Sequence, residues 1–425
     1  MLIAKQNREK LFNKLQPNSV AIIPGNKLKY RSSDVEYSFR QNSNFYYLTG
    51  LTEPNALAVF ISEKKQFILF TQEPNTDQEI WTGPIIGPNN AIELFGADMA
   101  YPINQIDSIL PNLLINKDIL YYPMLEDLEL EANLYKWRLA AKKLARAQHN
   151  KAFPDRTENL SVILHELRVI KSSLEIKKIR YVTEISSRAH EHVIKYVATN
   201  NKKFNLTERA IQAEFYNYCL QHGCQDMAYS PIVASGANAC ILHYTKNLDV
   251  LKKQDLVLID AGAEFDYYAA DITRVFPVDG KFSKKQRDLY QLVLHAQTQA
   301  INIIKPGLLW SELQKIIVRE IVEGLIDLKL LSGNIDDLIN NNDYKKFYMH
   351  GSGHFLGMDV HDPSIYKIDN QFRPLLPGMV LTVEPGIYYN GTGIRIEDDI
   401  LVTEQGHEIL TNAIKSIDDI EHLMK

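Results

Sequence analysis

The chain has 425 residues, 45% of them hydrophobic and 23% charged, the composition of an ordinary soluble globular protein with room for two or three domains. Its 47 basic and 52 acidic residues give a formal charge of -5 without a polybasic tract, so neither nucleic acid nor an anionic membrane surface is indicated as a partner. No run reaches the roughly 18 apolar residues of a transmembrane helix, the opening MLIAKQNREKLFNKL lacks a secretory apolar core, and three cysteines are too few for a disulfide framework, which points to a reducing cytoplasm.

Residues 1–168 are expected to form a smaller mixed α/β domain. The β-prone runs Phe45-Tyr46-Tyr47-Leu48 and 66–70 alternate with helical patterns near 1–15 and 126–150, and Pro54-Asn55, Pro74-Asn75 and Gly87-Pro88 mark turns. No compact catalytic signature lies there. Pro154 and the polar residues around it make about 150–172 the expected connection to a second domain, 169–425.

That domain opens on a capping box, Ser172 with Glu175, followed by Ile176, Ile179, Val182 and Ile185 at helical spacing. His190 and His192 lie on a charged face of this helix and read as surface residues. A second helix fits 205–221 with Gly223 as its stop; Cys219 and Cys224 have the spacing of half a zinc site, but no second pair follows, so they read as small buried residues. Ser283 and Gln286 form another capping box ahead of a helix reaching Pro306-Gly307, and a further helix covers 311–328. Strand runs fall at 256–259, 270–277, 379–383 and 394–402. Helix pairs alternating with antiparallel β segments predict an α+β domain, and the pattern of a helix pair followed by strands occurs twice, a hint of duplication.

The chemistry sits between these elements. In LVLIDAGAEFDYYAADITRVF, a turn near Phe265-Asp266 would put residues whose numbers sum to 531 opposite one another, including Asp260 and Asp271. Cross-strand side chains on one face approach to about 5 Å, and two facing carboxylates in an apolar run need a cation, a shared proton or solvent. His350, His354 and His361 fall within twelve residues around Gly351 and Gly353, which permit close backbone approach. Glu384 ends an apolar strand at Pro385-Gly386, and period-two alternation puts Arg395, Glu397 and Asp399 on one strand face with Ile394, Ile396 and Asp398 on the other. Any one of these carboxylates alone is more often solvated. Together Asp260, Asp271, His354, Glu384 and Glu397 supply four carboxylates and one imidazole, which neutralise two divalent cations and suit manganese, cobalt or iron better than copper. Two such ions sharing a water form a hydrolytic arrangement.

These residues, set in LVLIDAG, DITR, HGSGH, VEPG and GIRIEDD, resemble the pita-bread metallopeptidases, which include methionine aminopeptidase, prolidase, creatinase and aminopeptidase P. Within that set the similarity is greatest to bacterial Xaa-Pro aminopeptidases (aminopeptidase P) and extends to Arg40-Gln41-Asn42-Ser43, Ile80-Trp81 with Gly83, Cys240-Ile241-Leu242-His243-Tyr244 and His361-Asp362. The resemblance implies a C-terminal pita-bread domain with two divalent ions, usually manganese(II), that removes an N-terminal residue when proline is second. It implies that Asp271 and Glu397 bridge the ions, that Asp260, His354 and Glu384 complete their coordination, and that Glu384 shuttles protons. His243, His350, His361 and Arg395 would then act around the ions. Tyr366 and Tyr388 would wall the substrate pocket, and Trp81 would arrive from the first domain of a neighbouring subunit in a dimer or tetramer. The same five ligands serve prolidase, an Xaa-Pro dipeptidase, while pita-bread domains used only as binding modules lack the ligands present here.

Overall fold

The computed structural model describes residues 2–148, 150–151, 153–201 and 205–425, and the chain divides into two compact units, Met1–Leu167 and Arg168–Lys425.

The first unit is built on a six-stranded sheet in the order Met99–Pro102, Gln66–Thr71, Leu57–Ile61, Ser19–Pro24, Ile119–Tyr122, Arg156–Asn159. Ser19–Pro24 runs antiparallel to Leu57–Ile61 and parallel to Ile119–Tyr122, and its apolar run is buried on both faces. Leu110 and Leu114 of one helix and Leu130, Leu134 and Trp137 of another close the core against this sheet. Two expectations are corrected. Phe45-Tyr46-Tyr47-Leu48 belongs to a helix, Ser43–Thr49, because Asn42 accepts the Phe45 N–H at its start and Gly50, at φ 74°, ends it with an N–H to Tyr46 O. These local caps outweigh the β propensity of the aromatic run. The stretch 150–172 is not a bare connection either: it holds the edge strand Arg156–Asn159 and the helix Leu160–Val169.

In the second unit both capping boxes form, at Ser172/Glu175 ahead of Ser173–Asn200 and at Ser283/Gln286 ahead of Lys284–Asn302. Thr207 caps the next helix, Glu208–Gln221, and Trp310–Asp327 completes the second pair. Every strand pair described in this unit is antiparallel, which gives the α+β class. One apolar core joins Val182, Ala189 and Val193 on a helix of the first pair, Ile317 and Ile321 on one of the second, and Leu258, Val275, Leu381 and Ile400 on the strands. Each large side chain so buried contributes roughly 1.5–3 kcal/mol.

His190 corrects a third expectation. It is 1% exposed, with Nε2 2.9 Å from Ala261 O and its ring edge-on to Phe215, because the helix turns this position inward onto the strand that carries Asp260. His192, half-buried, pairs with Glu214 at 2.7 Å. Cys219 and Cys224 are free thiols in the core.

Candidate metal centre

Asp260 ends the strand Leu256–Asp260, whose partner is Thr273–Pro277. The register pairs Asp260 with Thr273 and Phe265 with Tyr268, so opposed residues sum to 533, two more than expected. The turn is centred on Asp266 and Tyr267, both left-handed at φ 47° and 69°, the geometry of a two-residue hairpin loop. Nothing as explicit as Asn-Gly marks it in the sequence, which explains the misplacement. A slip of two keeps every side chain on its face. Asp271 therefore stands diagonal to Asp260 on the same side, and the Tyr229 hydroxyl lies 2.5 Å from an oxygen of each.

Gly262 makes this crossing possible: a Cβ there would lie 1.8 Å from Ala270 O. Because that neighbour is backbone in a buried hairpin, Gly262→Ala is expected to destabilise the unit by about 3 kcal/mol or more. Thermal unfolding checks it, and an unchanged midpoint would show that the strands can part freely.

The segment 351–354 lies against Val380–Val383, with Thr382 N donating to His354 O and Glu384 N to Ser352 O, both at 2.9 Å. A Cβ on Gly353 would lie 2.0 Å from Thr382 O, so glycine is required for this approach. His354 and Glu384 are thereby brought side by side, Nε2 to Oε1 3.7 Å. The expected single strand over 394–402 is two strands, Thr392–Arg395 and Asp398–Val402, broken at Ile396-Glu397 where Glu397 bridges to Thr273. Thr273 Oγ1 donates to Glu397 Oε2 at 2.6 Å, and Arg395 Nη2 donates to Asp260 Oδ2 at 2.5 Å. Asp399 accepts from the Asp271 N–H at 3.3 Å, whereas Asp398 points the other way onto Arg274, as period-two alternation requires.

Donor atoms of Asp271, His354 and Glu397 lie within 4.8 Å of one another, and Asp260 and Glu384 line the same cavity of about 370 Å³. The donor set fits divalent cations. His354 Nδ1 is 3.1 Å from Phe355 O, which can only accept, so Nδ1 carries a proton and Nε2, 3.3 Å from Asp271 Oδ2, is the nitrogen that would be free to bind a cation. Burial pushes the Glu397 carboxyl well above the carboxylate range and Asp271 adds to it; burial likewise lifts Glu384 to about 7. Burial opposes charge on His354, but Asp271 and Glu384 outweigh it and raise the imidazole to about 9. A cluster that holds protons on carboxyls and a charge on its imidazole is short of positive charge, which divalent ions would supply.

His243, His350, His361 and Arg395 line the same cavity. His350 Nδ1 faces Gly351 O at 2.9 Å, so its Nε2 accepts from the Tyr388 hydroxyl at 2.8 Å; burial and Arg395 lower its pKa to about 4. Tyr388 and Tyr366 are not among the lining residues. Tyr388 is buried with its hydroxyl accepting from Arg395 at 2.9 Å, and Tyr366 stacks on Phe355 and meets Trp310 edge-on. Trp81 is 87% exposed on the short helix Thr76–Thr82 of the first unit. Sequence reasoning missed Tyr229, an isolated tyrosine in a loop with no spacing to flag it, and Arg274, read only as part of the DITR run.

Residues 177–404 match the model of metallopeptidase family M24, and residues 4–121 that of the aminopeptidase P N-terminal domain. The Xaa-Pro aminopeptidase of Escherichia coli K12 is 38% identical, the alignment covering 99% of this chain and 97% of the relative. Pseudomonas aeruginosa aminopeptidase PepP superposes with a TM-score of 0.95 at 41% identity, over 99% of this chain and 97% of that one. A zinc-substituted E. coli aminopeptidase P in complex with product superposes with a TM-score of 0.95 at 38% identity, covering 100% and 98%.

Proposed function

Since the chain belongs to the M24 metallopeptidases and carries the aminopeptidase P N-terminal domain over its sheet, we propose that it is an Xaa-Pro aminopeptidase that uses two divalent ions, manganese(II) by preference. The observation that carries the reading is the convergence of Asp260, Asp271, His354, Glu384 and Glu397 on one cavity. Asp271 and Glu397 would hold both ions, with Asp260, His354 and Glu384 completing the donor set. When bound, such ions polarise the scissile carbonyl and acidify the attacking water they share.

The protein's own groups do the rest. Glu384, with Oε1 3.4 Å from Thr382 Oγ1, would take the proton of the attacking water and return it to the proline nitrogen as the peptide bond breaks. His361 and His243 stand at the cavity wall, where a neutral imidazole can orient the scissile amide or stabilise charge on its oxygen. Arg395 holds Asp260 in place and, through Tyr388, fixes the ring of His350. Tyr388 thus supports the pocket from behind, and Tyr366 accepts the N–H of Phe355, next to His354, at 3.2 Å. Trp81 is proposed to meet substrate in a neighbouring subunit of a homo-oligomer, and the free thiols favour a cytoplasmic setting.

Chelation should abolish activity and added manganese should restore it, with two ions per subunit by elemental analysis. A fully active metal-free preparation would sink the reading. Offered Ala-Pro and Ala-Pro-Ala side by side, the loaded enzyme should prefer the tripeptide. Cleavage of the dipeptide alone would reassign it as an Xaa-Pro dipeptidase.

A further inference from the structure

Asp362, beside His361, is a buried carboxylate whose partners all lie away from the cavity. Arg168 Nη2 donates to its Oδ1 at 2.6 Å and Lys171 Nζ to its Oδ2 at 3.1 Å, and the same Arg168 nitrogen donates to Asp359 at 2.6 Å. Arg168, Lys171 and Asp362 each expose 3% of their side chains or less. Two cations thus balance the buried Asp362 and the partly exposed Asp359, and the buried pairings stabilise only when their geometry is closely met. Burial works against the Asp362 charge, but Arg168 and Lys171 outweigh it and hold the carboxyl below its usual range.

The loop 357–362 is shaped around this carboxylate. Asp359 N donates to Asp362 Oδ1 at 3.3 Å, Asp362 N donates to Phe355 O at 2.9 Å, and a Cβ on Gly357 would meet Asp362 Oδ2 at 2.6 Å. Lys171 in turn donates its backbone N–H to Gly378 O at 2.9 Å, so this cation is itself anchored. His361 lines the cavity with its ring 4.3 Å from that of His354, edge to face, and its side chain forms no hydrogen bond among the described residues. Apart from that ring contact, its position is therefore set by its own backbone, and the backbone is held by Asp362.

We infer that Asp362, clamped by Arg168 and Lys171, is a positioning residue that holds His361 at the reacting amide. A catalytic side chain placed chiefly by its loop loses effectiveness with displacements of about 1 Å. The inference rests on the proposed role of His361 in catalysis, and a double-mutant cycle separates the two. Asp362→Asn should lower kcat/KM by roughly 10–100-fold with both metals retained, falling on kcat more than on KM. In a His361→Ala background the same change should have an effect of less than about 3-fold, because the group it positions is gone. Equal losses in both backgrounds would overturn the inference and leave Asp362 as general scaffolding. If His361→Ala keeps full activity, the catalytic role of His361 fails first. Should Asp362→Asn not fold, Lys171→Gln and Arg168→Lys, which loosen the clamp from its other side, take its place in the same cycle. A normal kcat in both, against an impaired His361→Ala, would equally overturn it.

Discussion

Asp271→Ala and Glu397→Ala should each remove bound metal and activity together, exceeding the roughly 10–100-fold that loss of an outer partner of a metal ligand produces. Each supplies one of the clustered donor atoms, and each is also tied into the backbone crossing, Asp271 through its N–H to Asp399 and Glu397 through the Thr273 hydroxyl. Elemental analysis and kcat/KM on one preparation check the pair. Near-normal turnover in either variant would mean that the wrong carboxylates have been assigned.

The second large effect is on stability. Burial lowers His190 to about 3, against a hydrogen bond from its Nε2 to Ala261 O that favours the charge and with Arg274 adding to the depression; Nδ1 has no hydrogen-bond partner among the described residues. The unfolded chain takes up a proton on this ring near pH 6.5 and the folded chain does not. Stability is therefore fully present above about pH 6.5 and falls by about 1.4 kcal/mol per pH unit between there and about pH 3. Urea unfolding of the wild type and of His190→Phe between pH 7 and pH 5 reads the difference, roughly 2 kcal/mol across that window. Parallel slopes would show that His190 is charged in the folded state.

Much of the candidate centre was legible because its acidic and imidazole side chains sit in distinctive local sequence. An apolar strand that stops at Asp260, another that stops at Glu384 before Pro385-Gly386, and the glycines around His354 each announce themselves within a few residues. The period-two reading of Arg395, Glu397 and Asp399 survived a break in the strand, because the break at Ile396-Glu397 leaves the alternation intact. What was not legible depends on distant partners. His190 looked like a surface residue since nothing in its own helix shows that Ala261 and Phe215 close over it. Phe45 to Leu48 looked like a strand since the aromatic propensity is visible and the Asn42 and Gly50 caps carry weight only once the chain is placed. The clamp on Asp362 joins residues more than 190 positions apart, which a single sequence does not connect.

Arg274 carries one more implication. Its guanidinium is almost wholly buried and donates to the carbonyls of Thr273, Glu397, Ala413 and Ile414 as well as to Asp398. Lys415 then closes on the other oxygen of Asp398, and the helix Ile417–Leu423 packs Ile417 and Ile420 into the common core. Residues 413–415 are thereby a strap around the back of Glu397. Deleting these residues, or inserting another protein among them, would loosen the proposed acidic ligand Glu397 from behind.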